Sequence, residues 1–172
     1  GKDESTVLAR YDVLIHMDKA EEAYAVLAEF NEEYSSPQIL SMMGDARLTA
    51  YKDTLALECY NEALSIEPDY APAVLGKAEA YRLRRDYGSY FGILQEFASS
   101  NVTPGLMKSR YLDQLTRTMD ARFAQTYQPQ LDSLFDICLD VHPADSSVLV
   151  VAGTYFFRSE RKDRAKEIFK RN

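Results

Sequence analysis

His16 and His142 are the only histidines in this chain, and Cys59 and Cys138 the only cysteines. These four side chains are the best placed for acid–base, nucleophilic or metal chemistry. The cysteines lie 79 positions apart, each on the apolar stripe of an expected helix, and read as small buried hydrophobes rather than as a disulfide or a zinc half-site. His16 falls in the turn His16-Met17-Asp18, and His142 precedes Pro143 at a helix end, where an imidazole can meet free carbonyls. Ser99-Ser100 and Ser146-Ser147 occupy loop and cap positions, with no nucleophile elbow around them. The glycines are isolated, so no loop is built to cradle a phosphate. Acidic pairs such as Glu21-Glu22 and Glu32-Glu33 read as solvated helix faces. The expectation is therefore no catalytic, cofactor or metal site, and no enzyme.

The elements that carry these residues follow from composition and periodicity. A chain of 172 residues can bury one ordinary core, and 46% apolar with 27% charged residues places it among folded globular chains rather than disordered ones. Net charge is −7, and Arg84-Arg85 and Arg158…Arg161-Lys162 are short and followed by Asp86 and Asp163. Nucleic acid is excluded as a partner, because that affinity comes from neutralising phosphates. No apolar run reaches the roughly 20 residues of a membrane span, so direct membrane insertion is not expected. The chain opens on Gly1 rather than Met, compatible with removal of a leader. Its compartment is left open between cytoplasm and export.

The most patterned stretch is Ala56 to Pro68, where Ala56, Tyr60, Ala63 and Pro68 stand at offsets 0, 4, 7 and 12. Such spacing puts two small residues and one ring on a single helix face, narrow enough for a neighbouring helix to approach. The stripe recurs at Ala23-Leu27-Phe30, Tyr90-Leu94-Phe97, Leu131-Phe135-Cys138 and Ala165-Phe169, in steps of 33, 34, 41 and 34. Gly44 and Gly153 each precede the following stripe by twelve residues, and Val74, Ala78 and Tyr81 fill corresponding places in the third unit. Ser36-Pro37, Thr103-Pro104 and Asp145 read as helix starts, and Asp18, Asp53, Asp86 and Asp163 as caps before second helices. The fourth unit is about seven residues long in excess: a helix near Pro104–Thr118, an irregular Met119–Tyr127 stretch, then a helix near Pro129–Val141.

This pattern resembles the tetratricopeptide repeat family. The resemblance implies an all-α fold, a right-handed α-α superhelix built as a solenoid of antiparallel helix pairs. It implies a single domain over 1–172, with units near 4–36, 37–70, 71–104, 105–145 (expanded) and 146–172 (truncated). In that family the first helices line a groove that binds peptides or partner helices. Transferred here, the residue after each small position gives Asp12, Asp45, Glu79, Asp113 and Thr154. Leu48, Arg82 and Phe157 stand three positions beyond three of these, and Leu75 one turn before Glu79. The implied function is a non-enzymatic interaction module whose acidic and apolar groove, with Asp12, Asp45, Leu48, Glu79, Arg82, Leu75, Asp113 and Phe157 as its candidates, takes a basic or amphipathic peptide or protein. An alternative is a structural or regulatory segment of a larger, membrane-anchored or secreted protein, and a remote one an enzyme on a helical-repeat scaffold. The family's carboxylate-holding Lys, Arg and Asn are absent from the corresponding groove places. The apolar last helix, ending at Asn172, offers a face for a packing partner or for a second copy of the chain.

Overall fold

A computed structural model describes residues 3–172, and Gly1, noted above as compatible with removal of a leader, lies outside them. Every element assigned among these residues is a helix: α1 (Glu4–His16), α2 (Ala20–Asn31), α3 (Pro37–Thr49), α4 (Asp53–Ile66), α5 (Ala71–Leu83), α6 (Tyr87–Ser99), α7 (Gly105–Thr118), α8 (Ala121–Thr126), α9 (Gln128–Val141), α10 (Ser146–Arg158) and α11 (Lys162–Phe169). They group into two compact units, residues 1–93 and 94–172, with the boundary inside α6.

Within residues 1–93, α2 packs on α1 and α3, α4 on α3 and α5, and α3 directly on α5. The stripe residues are what make this packing close. Ala23, Ala56 and Ala63 are fully buried, and Tyr60 lies fully buried among α3, α4 and α5. A Cβ added at Gly44 would come within 2.5 Å of the Tyr60 ring, and one at Gly76 would clash with the same ring. Both glycines are therefore demanded by one tyrosine, whose ring fills the space that two missing side chains leave open.

Within residues 94–172, α10 packs on α7, α9 and α11. The same rule reappears: a Cβ at Gly153 would sit 2.5 Å from the ring of Phe169. Ala165 and Ile168 of α11 are buried, while its outer face carries Lys162, Asp163, Lys166 and Glu167.

Four of the connections within helix pairs share one geometry, the exception being that between α7 and α9. Asp18, Tyr51, Arg85 and Glu160 have φ of 59°, 60°, 59° and 65°. Each ends a helix with the paired backbone bonds of a Schellman turn, such as Lys52 N–H to Arg47 C=O at 2.9 Å and Tyr51 N–H to Leu48 C=O at 2.9 Å. This corrects the capping roles expected for three aspartates. Asp18 occupies the left-handed turn position, Asp53 is the first residue of α4, and Asp163 lies inside α11. Asp86 does cap, accepting from Ser89 N–H at 3.2 Å, as Ser36 accepts from Ile39 N–H and Asp145 from Val148 N–H, each at 3.1 Å. At the start of α7 the capping position falls to Pro104 rather than Thr103, whose N–H is bonded to the Ser100 hydroxyl at 3.2 Å. Most of the Met119–Tyr127 stretch, expected to be irregular, forms the separate short helix α8. Among the described residues no helix is long and apolar enough to cross a membrane.

Candidate partner-binding faces

In residues 1–93 the expected groove residues fall on α1, α3 and α5, the first helices of their pairs. Asp45 is the best defined. The Tyr60 hydroxyl, projecting from α4, donates to its Oδ1 at 2.6 Å. The residue remains open to solvent while protein surrounds the carboxyl on most sides, so burial raises its pKa and the Tyr60 bond opposes the rise. Tyr11 donates to the Met42 carbonyl at 3.3 Å. Burial first, then the charges of Asp45 and Asp12, push its pKa up to about 12. Tyr70 is raised by burial, then by Glu67 and Asp45. Asp45 thus shares its surroundings with three tyrosines, and Asp12 with Tyr11.

Glu79 stands differently. Its carboxylate is held by Arg82 Nε at 2.8 and 2.9 Å, an intrahelical pair that neutralises both candidates. Leu48 and Leu75 are half-buried, leaving an apolar strip open beside the acids.

In residues 94–172 Asp113 is paired with Arg117, whose Nε lies 2.9 Å from both carboxylate oxygens. Phe157 is 53% exposed on α10, with the Lys162 ammonium 5.8 Å from its ring centroid. Asp113 also lines a half-open cavity of about 440 Å³ together with Thr116 and Thr154, bordered by α7, α8, α9 and α10. One wall is fixed by hydrogen bonding. Tyr155 stacks on Phe135 at 4.2 Å and donates to Asp132 Oδ1 at 2.6 Å, and Arg161 grips the same carboxylate at 2.7 and 2.8 Å. Burial alone would raise Asp132, but the bonds from Arg161 and Tyr155 outweigh it and hold its pKa down. The cavity's lining also includes Gln125 and Gln128, which the sequence did not single out, and Arg158, which stood out there only as part of a short basic stretch. The surplus length of the fourth unit was the signal that something was added there.

The two histidines separate sharply. His16 turns its Nδ1 to the Asp12 carbonyl at 2.7 Å, a helix-end contact as expected. His142 instead meets Lys108, a fully buried lysine whose Nζ lies 2.7 Å from the Ala98 carbonyl, 2.6 Å from that of Ser100 and 3.0 Å from His142 Nε2. All three ammonium protons therefore have acceptors, two of them carbonyls at the end of α6. Burial lowers the pKa of Lys108. His142 is lowered by burial and then by Lys108, with Asp145 opposing. Cys138, four residues before His142, is pushed up to about 11 by burial, the opposite of a reactive thiol. Among the described residues no group of three or more His, Cys, Asp or Glu could hold a metal ion.

No protein-family model and no curated protein matches the chain. Solved structures do match it. MamA 41-end from Desulfovibrio magneticus RS-1 is 17% identical, covering 99% of this chain and 93% of that one, with a TM-score of 0.57. PilF of Pseudomonas aeruginosa is 15% identical over 97% of this chain and 73% of its own, with a TM-score of 0.60. A kinesin light chain-type protein of Podosopora anserina, with nearly identical TPR-like repeats, is 12% identical over 99% and 95% at 0.55. Helix order, turn geometry and these likenesses agree on one fold.

Proposed function

On a tetratricopeptide-type helical-repeat fold, we propose that this chain is a non-enzymatic interaction scaffold that binds a basic or amphipathic segment of another protein on its first-helix faces. The observation that carries the proposal is the state of the acids. In residues 1–93, Asp45 is open to solvent and held by a neutral tyrosine hydroxyl, and Asp12 has no side-chain partner among the described residues. Two carboxylates without cationic partners, with Tyr60 on Asp45, Tyr11 close to both and half-buried Leu48 three residues beyond Asp45 on α3, suit a lysine or arginine followed by an apolar side chain. Glu79–Arg82 and Asp113–Arg117 are already neutralised and serve position rather than attraction. Each exposed ion pair contributes about 0.2–1 kcal/mol, so on the face of residues 1–93 Leu48 and Leu75 supply the anchoring, and Phe157 is the exposed apolar candidate within residues 94–172.

A fluorescein-labelled basic amphipathic peptide, titrated with the full chain at low and at high salt, tests this. The expected outcome is saturable binding that weakens with salt and weakens again in Asp12→Asn/Asp45→Asn. Asparagine at 45 keeps an acceptor for Tyr60, so the fold is preserved. Asp18→Asn, in an exposed turn, should change nothing. Binding that survives the double change at full strength would overturn the assignment of this face.

A further inference from the structure

The cavity walled by α8 lies wholly within residues 94–172 and apart from the acidic face just described. Its volume of about 440 Å³ falls inside the range of roughly 300–1,000 Å³ typical of small-ligand pockets. Met119, Ala121, Ala124, Leu131, Val151 and the Tyr155 ring make its surface largely apolar. The polar groups on that surface are unequal. Asp113 is answered by Arg117 at 2.9 Å, and Glu160 by Lys162 at 3.8 Å. The hydroxyl protons of Thr116 and Thr154 are already given to the Leu112 and Val150 carbonyls, at 2.8 and 2.7 Å. Arg158 remains. It lines the cavity as a solvent-exposed residue without an ion pair or side-chain hydrogen bond among the described residues, and Gln125 and Gln128 line it likewise unpaired.

From this arrangement we infer that the cavity binds a small monocarboxylate with an apolar body. An unpaired guanidinium beside apolar surface is met best by a planar anion accepting two parallel N–H bonds. The glutamine NH₂ groups add donors for the same carboxylate. Because Asp113 and Glu160 already have cationic partners, Arg158 is the one unpaired cation among the lining residues and matches a single negative charge rather than a dianion such as a phosphate monoester. The Tyr155 wall is held by Asp132 and Arg161, so the apolar body enters a surface that is already ordered, which lowers the cost of binding. The helix that borders the site, α8, is the segment by which the fourth unit exceeds its neighbours.

The carboxylate could arrive on a free small acid or on the last residue of a polypeptide, and one titration series distinguishes them. The ¹⁵N-labelled full chain is titrated with 4-phenylbutyrate, with 4-phenylbutanamide, and with the tripeptide Gly-Gly-Phe carrying either a free or an amidated carboxyl end. Expected are saturable amide shifts confined to α8, the start of α9 and the last turn of α10. The neutral amide should bind about tenfold more weakly than the acid, as loss of a charged hydrogen-bonded pair implies. Arg158→Gln should erase that preference, and Ala124→Trp should block both ligands while shifts elsewhere report an intact fold. Tighter binding of phenylbutyrate than of free Gly-Gly-Phe assigns a small acid, and the reverse assigns a chain end. Absence of saturable shifts, equal binding of acid and amide, or an acid preference that persists in Arg158→Gln would each overturn the inference. Any of these results leaves the Asp12–Asp45 proposal standing, since that face is read by a different peptide and different variants.

Discussion

Residues 1–93 carry nine basic and seventeen acidic side chains, and residues 94–172 carry eleven and ten, so a net charge of −7 conceals a division into −8 and +1. Both units are built from helices with the same stripe, yet one residue type separates their chemistry. Tyr60 in the second unit and Phe135 in the fourth hold the same place, four residues after Ala56 and Leu131. Tyrosine brings a hydroxyl that satisfies Asp45, which then needs no cation and keeps its charge for a partner. Phenylalanine brings none, and the corresponding acid, Asp113, is neutralised by Arg117 on its own helix. Core packing is nearly blind to that oxygen. Surface electrostatics is not.

The largest effect expected from breaking this contrast is at Tyr60. Tyr60→Ala removes a fully buried ring that serves both Gly44 and Gly76, and should cost about 3–5 kcal/mol of stability. Phe169→Ala, the counterpart change against Gly153, removes a ring that is 40% exposed and should cost clearly less. Urea denaturation followed by circular dichroism gives both values, and equal losses would show that the two glycine–ring pairs are not the unequal partners described above. Tyr60→Phe is the finer probe. It should leave the packing intact and cost about 1.5–3 kcal/mol, the range for a hydrogen bond to a charged group.

Helix order, repeat step and core stripe were legible because each depends on residue size at fixed spacing, and size is written directly in the sequence. Gly44 and Ala56 announce a close crossing whatever surrounds them. The functional surface was less legible because it depends on pairing across or along helices. The string offers Glu79 an arginine three residues on, but it gives no sign that Asp45 is tied to a tyrosine fifteen residues on. Arg158 became noteworthy only through its lack of a partner. The burial of Lys108 against the end of α6 could not be inferred from periodicity alone.

Lys108 and His142 give a pH dependence that belongs to residues 94–172. His142 has its folded pKa lowered from 6.5, by burial and then by Lys108. The unfolded chain therefore takes up this proton first as the solution is acidified. Stability attributable to His142 is complete above 6.5 and is lost as pH falls from there through the folded pKa. Protonation also removes the acceptor at 3.0 Å from Lys108 and sets two cations face to face. Denaturation midpoints measured between about pH 7.5 and about pH 5 should fall in the wild type, and less so in Lys108→Met, where the repulsion is gone while burial remains. A fall of equal size in Lys108→Met would remove Lys108 as a cause.

The smallest expected effect tests what the two units have in common. Tyr51 in one and Glu160 in the other hold left-handed backbone at the same place in a Schellman turn, with φ of 60° and 65°. A side chain there costs about 1–2 kcal/mol through crowding of Cβ against the following carbonyl. Glycine removes this strain but loses more backbone freedom on folding, by roughly 0.5–1 kcal/mol. The difference leaves a net gain of about 0.5–1 kcal/mol for Tyr51→Gly and for Glu160→Gly. Tyr51 is 79% exposed, so little packing is lost with its ring. Because the gain arises within a few residues of backbone, it should be nearly the same in the acidic and the neutral unit and insensitive to salt. A gain confined to one of them, in paired thermal melts, would mean that even this local turn is governed by its tertiary surroundings.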